Sequence, residues 1–238
     1  MKIATSLNVI LLLLAAITSC NEGFNATATD DTNLDTIWAD DRCYWEIKQP
    51  FEENGRTVLY RSHAFLENAD DNELSYYLLP RGTADYDSCR RRMQSITAEE
   101  FTGVSAELDT SSVLVPSGNT PIHWYPVRKY RGNFYVYQDA NYGIYLSNDL
   151  FITAYWDFCT YKLKSVENLA DGSYDFLLEK ETTAKMELID KEKGLFRFRC
   201  KDIDIGDYFT IDQYIENYDI IMAENNTPLS IDGIEFDK

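Results

Sequence analysis

From Cys43 onward, apolar and polar positions alternate with a period of two, the pattern of half-buried strands rather than helices. The first hairpin reads as residues 44–48 and 57–61 around Glu53-Asn54-Gly55-Arg56, because Asn-Gly accepts the positive φ angles of a type I′ turn. The same pattern predicts strands over 74–79, 112–115, 122–127, 134–138, 143–146, 151–163, 173–179, 185–190, 195–201, 208–211 and 218–222. Turn chemistry at Arg131-Gly132-Asn133, Ser147-Asn148-Asp149, Asp171-Gly172 and Glu192-Lys193-Gly194 separates several of them. Many short strands with hairpin-length gaps define an all-β domain, mainly antiparallel, built as a sandwich or a barrel. One short helix is predicted near residues 97–108, where Thr97 and Glu100 fit a capping box and Phe101, Val104 and Leu108 share a face.

The N-terminus follows other rules. Lys2 precedes an apolar stretch whose unbroken part, Val9 to Ile17, is 9 residues long, against the roughly 18 needed to span a bilayer. This is a signal-peptide pattern. Ile17-Thr18-Ser19-Cys20 closes it and resembles the lipobox of bacterial lipoproteins, in which the chain is cut before the cysteine and its sulfur carries a diacylglyceryl group. The resemblance implies residues 1–19 as signal peptide, Cys20 as the lipid attachment site, and anchoring in a Gram-negative envelope, at the outer membrane. Residues 20–42 read as the lipidated cysteine and an acidic tether, and 43–238 as a single β-rich domain.

Charge narrows the partners. The 238 residues carry 22 Lys+Arg against 40 Asp+Glu, a formal net charge of −18, which disfavours nucleic acid because phosphates need a basic face. Export turns attention to cysteine: Cys43, Cys89, Cys159 and Cys200 form an even set suited to disulfides in an oxidising compartment. Three pairings are open, of which 43–89 and 159–200 close the shortest loops.

Asp202, Asp204 and Asp207 surround Gly206 and offer oxygen ligands suited to Ca²⁺, although alternation with Ile203 and Ile205 also suits a strand with a solvated face. Arg90-Arg91-Arg92 is the concentrated basic run, expected to pair with surplus acids. His63 and His123 are the two imidazoles, and no Gly-x-Ser-x-Gly elbow accompanies either. The aromatic residues are more suggestive. They cluster between Trp124 and Trp156, and Tyr135 and Tyr137 fall on the strand face opposite Phe134 and Val136. Trp124, Tyr130, Tyr135 and Tyr137 are the candidate ligand-binding rings, since exposed rings stack on sugars or dock polypeptides.

These features predict an envelope protein tethered to the membrane through its N-terminal lipid, serving as a non-catalytic binding module for a glycan or a protein. The rivals are a carboxylate-dependent hydrolase, which needs two acids at a suitable separation, and a structural subunit of a cell-surface assembly.

Overall fold

The computed structural model describes residues 34–39, 42–65, 73–96, 120–138, 143–147, 150–154, 158–203, 208–225 and 233–237. Fifteen strands lie among them. The first seven are β1 (Leu34–Ala39), β2 (Arg42–Ile47), β3 (Phe51–Glu53), β4 (Arg56–Phe65), β5 (Glu73–Leu79), β6 (His123–Tyr130) and β7 (Asn133–Gln138). The rest are β8 (Gly143–Ser147), β9 (Leu150–Ala154), β10 (Phe158–Asn168), β11 (Tyr174–Leu178), β12 (Thr183–Asp190), β13 (Leu195–Cys200), β14 (Tyr208–Ile211) and β15 (Ile220–Asn225).

Strands β8 to β14 run as an antiparallel meander, and β6 closes it by pairing with β14 along Trp124–Val127 and with β8 at His123 and Trp124. The result is an eight-stranded antiparallel barrel with extra strands. Its inside is apolar: Trp124, Ile144, Phe151, Phe176, Met186 and Phe196 are buried there. Charged residues alternate outward on the same strands, as with Lys162 and Lys164 around buried Leu163, and Lys185 and Glu187 around buried Met186. That pattern is opposite to the apolar outer band of a lipid-facing barrel.

The far end of β6 leaves the barrel and pairs with β7, and the sheet continues through β15, β5, β4 and β2 to β1. The β7–β15 pairing is parallel. Two of the turns read from the sequence form with type I′ geometry. Asn54 and Gly55 adopt φ of 52° and 78°, and Arg131 and Gly132 adopt 48° and 82°, the paired positive angles of type I′ geometry. The Asn54-Gly55 turn joins β3 to β4, while β2 pairs with the far half of β4, placing Ile47 opposite Arg61. The predicted run 151–163 is two strands, because Ala154 pairs with Phe158 and folds the segment back on itself.

The described helix is α1 (Ala84–Ser95), which packs on this second sheet through Tyr86, Cys89 and Met93. Thr83 caps it by accepting from the Tyr86 amide, and Asp85 and Asp87 sit in the first turn where the helix dipole favours them. The helix predicted near 97–108 and the strand at 112–115 lie outside the described residues. On the opposite face of the second sheet, residues 233–237 lie over Tyr76, Tyr130 and Tyr137 through Ile234 and Phe236.

Candidate functional site

Burial sorts the four candidate rings. Trp124 is 0% exposed inside the barrel, edge-on to Phe196 and Tyr174 at centroid distances of 5.1 and 5.3 Å. It is core, not contact surface, because its position on β6 faces the closed side of the barrel. An eight-stranded barrel is just wide enough for side chains to fill, and this one is filled. Tyr130 and Tyr137 are buried on the other face of the second sheet, and Tyr135 is half-buried there. Tyr135 does share a face with Tyr137, and Phe134 and Val136 face α1, as alternation requires.

Tyr130 lines a cleft of about 670 Å³, within the size range of small-ligand sites. Its floor and walls bring together Glu46 from β2, Lys48, Tyr60 from β4, Arg131 from the β6–β7 turn, and Gly233, Ile234, Glu235 and Asp237 from the C-terminal segment. Glu46 is 4% exposed, accepts a hydrogen bond from the Tyr60 hydroxyl at 2.9 Å, and pairs with Lys48 at 2.6 Å. A buried carboxylate needs such partners, since leaving it unpaired costs several kcal/mol. The Arg131 guanidinium lies over the Tyr130 ring, 5.2 Å from its centroid. Burial raises the Tyr130 phenol pKa, so its hydroxyl stays a neutral donor and acceptor.

The C-terminal segment is fastened at its last described residue. The Asp237 carboxylate accepts from the Arg131 and Gly132 amides at 3.2 and 2.7 Å, and the Asp237 amide donates to the Lys129 carbonyl at 2.7 Å. One residue thus holds the turn and the strap that form two sides of the cleft. At the other end a Cβ on Gly233 would lie 2.1 Å from the Tyr76 hydroxyl, so the strap can approach β5 this closely only through glycine.

The expected disulfides do not form among the described cysteines: Cys89, Cys159 and Cys200 are free thiols. Cys89 is buried on α1 beside Met93, where desolvation pushes its pKa up to about 11. Cys159 and Cys200 lie on β10 and β13 with two strands between them, roughly 14 Å along the sheet at the usual spacing, whereas a disulfide needs Cα atoms within about 7 Å. Only the backbone of Cys43 is described. Cys20, Asp204 and Asp207 lie outside the described residues. Asp202 is exposed, and among the described residues no three His, Cys, Asp or Glu side chains gather as a metal site.

Of the arginine run, Arg90 pairs with Glu216 and Asp87, in line with the expected partnering. His123 lies between Tyr125 and Tyr145 at centroid distances of 4.1 and 5.7 Å, with its ring tilted to both, and burial pushes its pKa down to about 4. A group so desolvated is a poor general base near neutrality. Glu46, Lys48, Tyr60, Arg131 and Asp237 were not singled out by the sequence. They come from four separate places in the chain, Glu46 and Lys48 sharing one, and no local spacing marks the set.

The chain matches no protein-family model, no curated protein and no solved structure.

Proposed function

We propose that this chain is a lipid-anchored, non-catalytic recognition module of the Gram-negative envelope, and that the cleft beside Tyr130 takes a glycan. The observation that carries this reading is the combination in one cleft of tyrosine rings, paired carboxylates and two cations, outside a barrel whose interior is occupied by its own side chains. Sugar hydroxyls both donate and accept, so they suit Glu235, Asp237 and Arg131, which are exposed at the cleft and offer planar acceptors and donors, with the accessible edge of Tyr130 beside the sugar. Attachment rests on the lipobox-like Ile17-Thr18-Ser19-Cys20. Two or three acyl chains would hold the protein stably, where one chain is marginal.

A thermal-shift panel of neutral oligosaccharides and peptidoglycan fragments, on the full chain in detergent, tests the reading. A ligand at about 100 times its Kd adds about 2.7 kcal/mol of stability. A specific observation also favours the hydrolase: Glu46, Glu235 and Asp237 all line this cleft. Chromatography of the mixtures separates the two. Product that accumulates with the natural chain and not with Glu46→Gln would move the case to hydrolysis, whereas a shift without product supports recognition. For the anchor, labelling with an alkyne fatty acid is expected to disappear in Cys20→Ala, and unchanged labelling would refute it.

A further inference from the structure

A second cleft, of about 300 Å³, opens beside the start of β7 and carries the opposite charge balance. Its charged walls are Arg81, Lys193 and Asp219, two cations against one carboxylate, in a chain whose net charge is −18. By contrast, the Tyr130 cleft sets Lys48 and Arg131 against Glu46, Glu235 and Asp237. A cleft with cationic excess in a strongly acidic protein attracts an anion locally while the rest of the surface repels it, so anionic ligands are steered to one place.

The cationic side chains are held by fixed hooks. The Arg81 amide and Nε both donate to Asp219 Oδ1, at 2.9 and 3.1 Å, which leaves the terminal guanidinium nitrogens as donors. The Asp219 carbonyl in turn accepts from the Val136 amide at 3.0 Å, tying that carboxylate to β7. Lys193 sits on the β12–β13 turn, which Asn217 clamps by donating to the Glu192 and Lys193 carbonyls at 3.1 and 3.3 Å. Next to it, Gly194 holds φ of +65°, and a Cβ there would meet Tyr214 at 2.0 Å, so the turn sits in one place against that ring. The Lys193 ammonium makes no ion pair among the described residues. Tyr135, half-buried, and Asn133, exposed, also line the cleft.

We propose that this cleft binds the carboxylate of an acidic sugar, with Arg81 and Lys193 on the anion and Tyr135 and Asn133 on the ring and hydroxyls beside it. The Arg81 fork suits a planar carboxylate, Lys193 supplies a point charge, and a half-buried tyrosine offers the apolar edge a bare anion does not need. The site stands on its own residues and does not rest on the Tyr130 cleft.

Calorimetric titration of the full chain with tetragalacturonate, its fully methyl-esterified form and inorganic sulfate tests it at low and at physiological salt. The acid tetramer is expected to bind at least tenfold more tightly than the ester, to weaken as salt rises, and to lose about tenfold in Lys193→Gln. Lys164→Gln removes the same charge from a residue that pairs with Glu181 and is expected to leave binding unchanged. Equal affinity for acid and ester, equal loss in both lysine variants, or sulfate binding as tight as the tetramer would each overturn the proposal. Arg81→Lys, which keeps the charge without the fork, gives a further readout: weakened tetramer binding supports recognition of the planar group, and unchanged binding contradicts it.

Discussion

The hydroxyl of Tyr60 donates to Oε2 of Glu46 at 2.9 Å, with both residues almost wholly buried, at 3% and 4% exposure. This bond joins β4 to β2 at the base of the Tyr130 cleft and makes it tolerable to bury a carboxylate there. Hydrogen bonds to charged groups contribute about 1.5–3 kcal/mol, and removing the donor strands the acceptor. Tyr60→Phe is therefore expected to destabilise the protein by about 2 kcal/mol in urea unfolding, and a double-mutant cycle with Glu46→Leu, which leaves no acceptor, should return a coupling of similar size. Additive single effects would show that the bond contributes nothing.

Trp124 tests the other half of the account, that the barrel is core rather than container. Trp124→Ala is expected to cost about 3–5 kcal/mol, from lost transfer energy and an unfilled cavity. Ligand affinity per folded molecule should stay as it was. A Trp124→Ala protein that remains stable but loses glycan binding would place the ligand inside the barrel.

His123 makes stability depend on pH in a definite direction. Its folded pKa of about 4 lies below the ordinary 6.5, chiefly through desolvation and in spite of the opposing attraction of Asp212. As pH falls, the unfolded chain therefore takes up the proton first. The contribution is present in full above about 6.5 and is lost as pH falls toward about 4, by about 3 kcal/mol at most. Denaturation midpoints between pH 7 and 5 should fall less steeply in His123→Gln than in the natural chain, and parallel slopes would contradict this.

Two glycines with positive φ should respond differently. Gly132, at +82°, has nothing within 4 Å of an added Cβ, so Gly132→Ala is expected to cost about 1 kcal/mol of backbone strain. Gly194→Ala adds the clash with Tyr214 and should cost about 2–4 kcal/mol. Equal melting-temperature shifts for the two would mean that Tyr214 yields freely.

Much of this fold was legible because strands announce themselves by alternation and two-residue turns by Asn-Gly and Arg-Gly. β11, Tyr174 to Leu178, follows its alternation residue for residue, and β12 does so from Thr183 to Glu187. Helix α1 was not read: Arg90, Arg91 and Arg92 break up the apolar stripe, leaving Tyr86, Cys89 and Met93 as a thin face that shows only once the sheet beneath it is known. Barrel closure was also hidden, since β6 must pair with both β8 and β14 and then continue into a second sheet, and nothing local to residues 123–130 encodes that. The clefts were out of reach for the same reason. Tyr130 could be named as a ring, but Glu46 and Asp237, almost two hundred residues apart in sequence, meet it through topology alone.

The central claim is recognition at the Tyr130 cleft without turnover. Isothermal titration of the full chain with the best oligosaccharide from the panel, set against Tyr130→Ala and Asp237→Ala, tests it most directly. The account predicts one saturable site, no product in the cell after titration, and a loss of about 2 kcal/mol, roughly thirtyfold in Kd, for Tyr130→Ala. A comparable loss is expected for Asp237→Ala, which frees both the turn and the strap. Binding that survives both substitutions unchanged would contradict it.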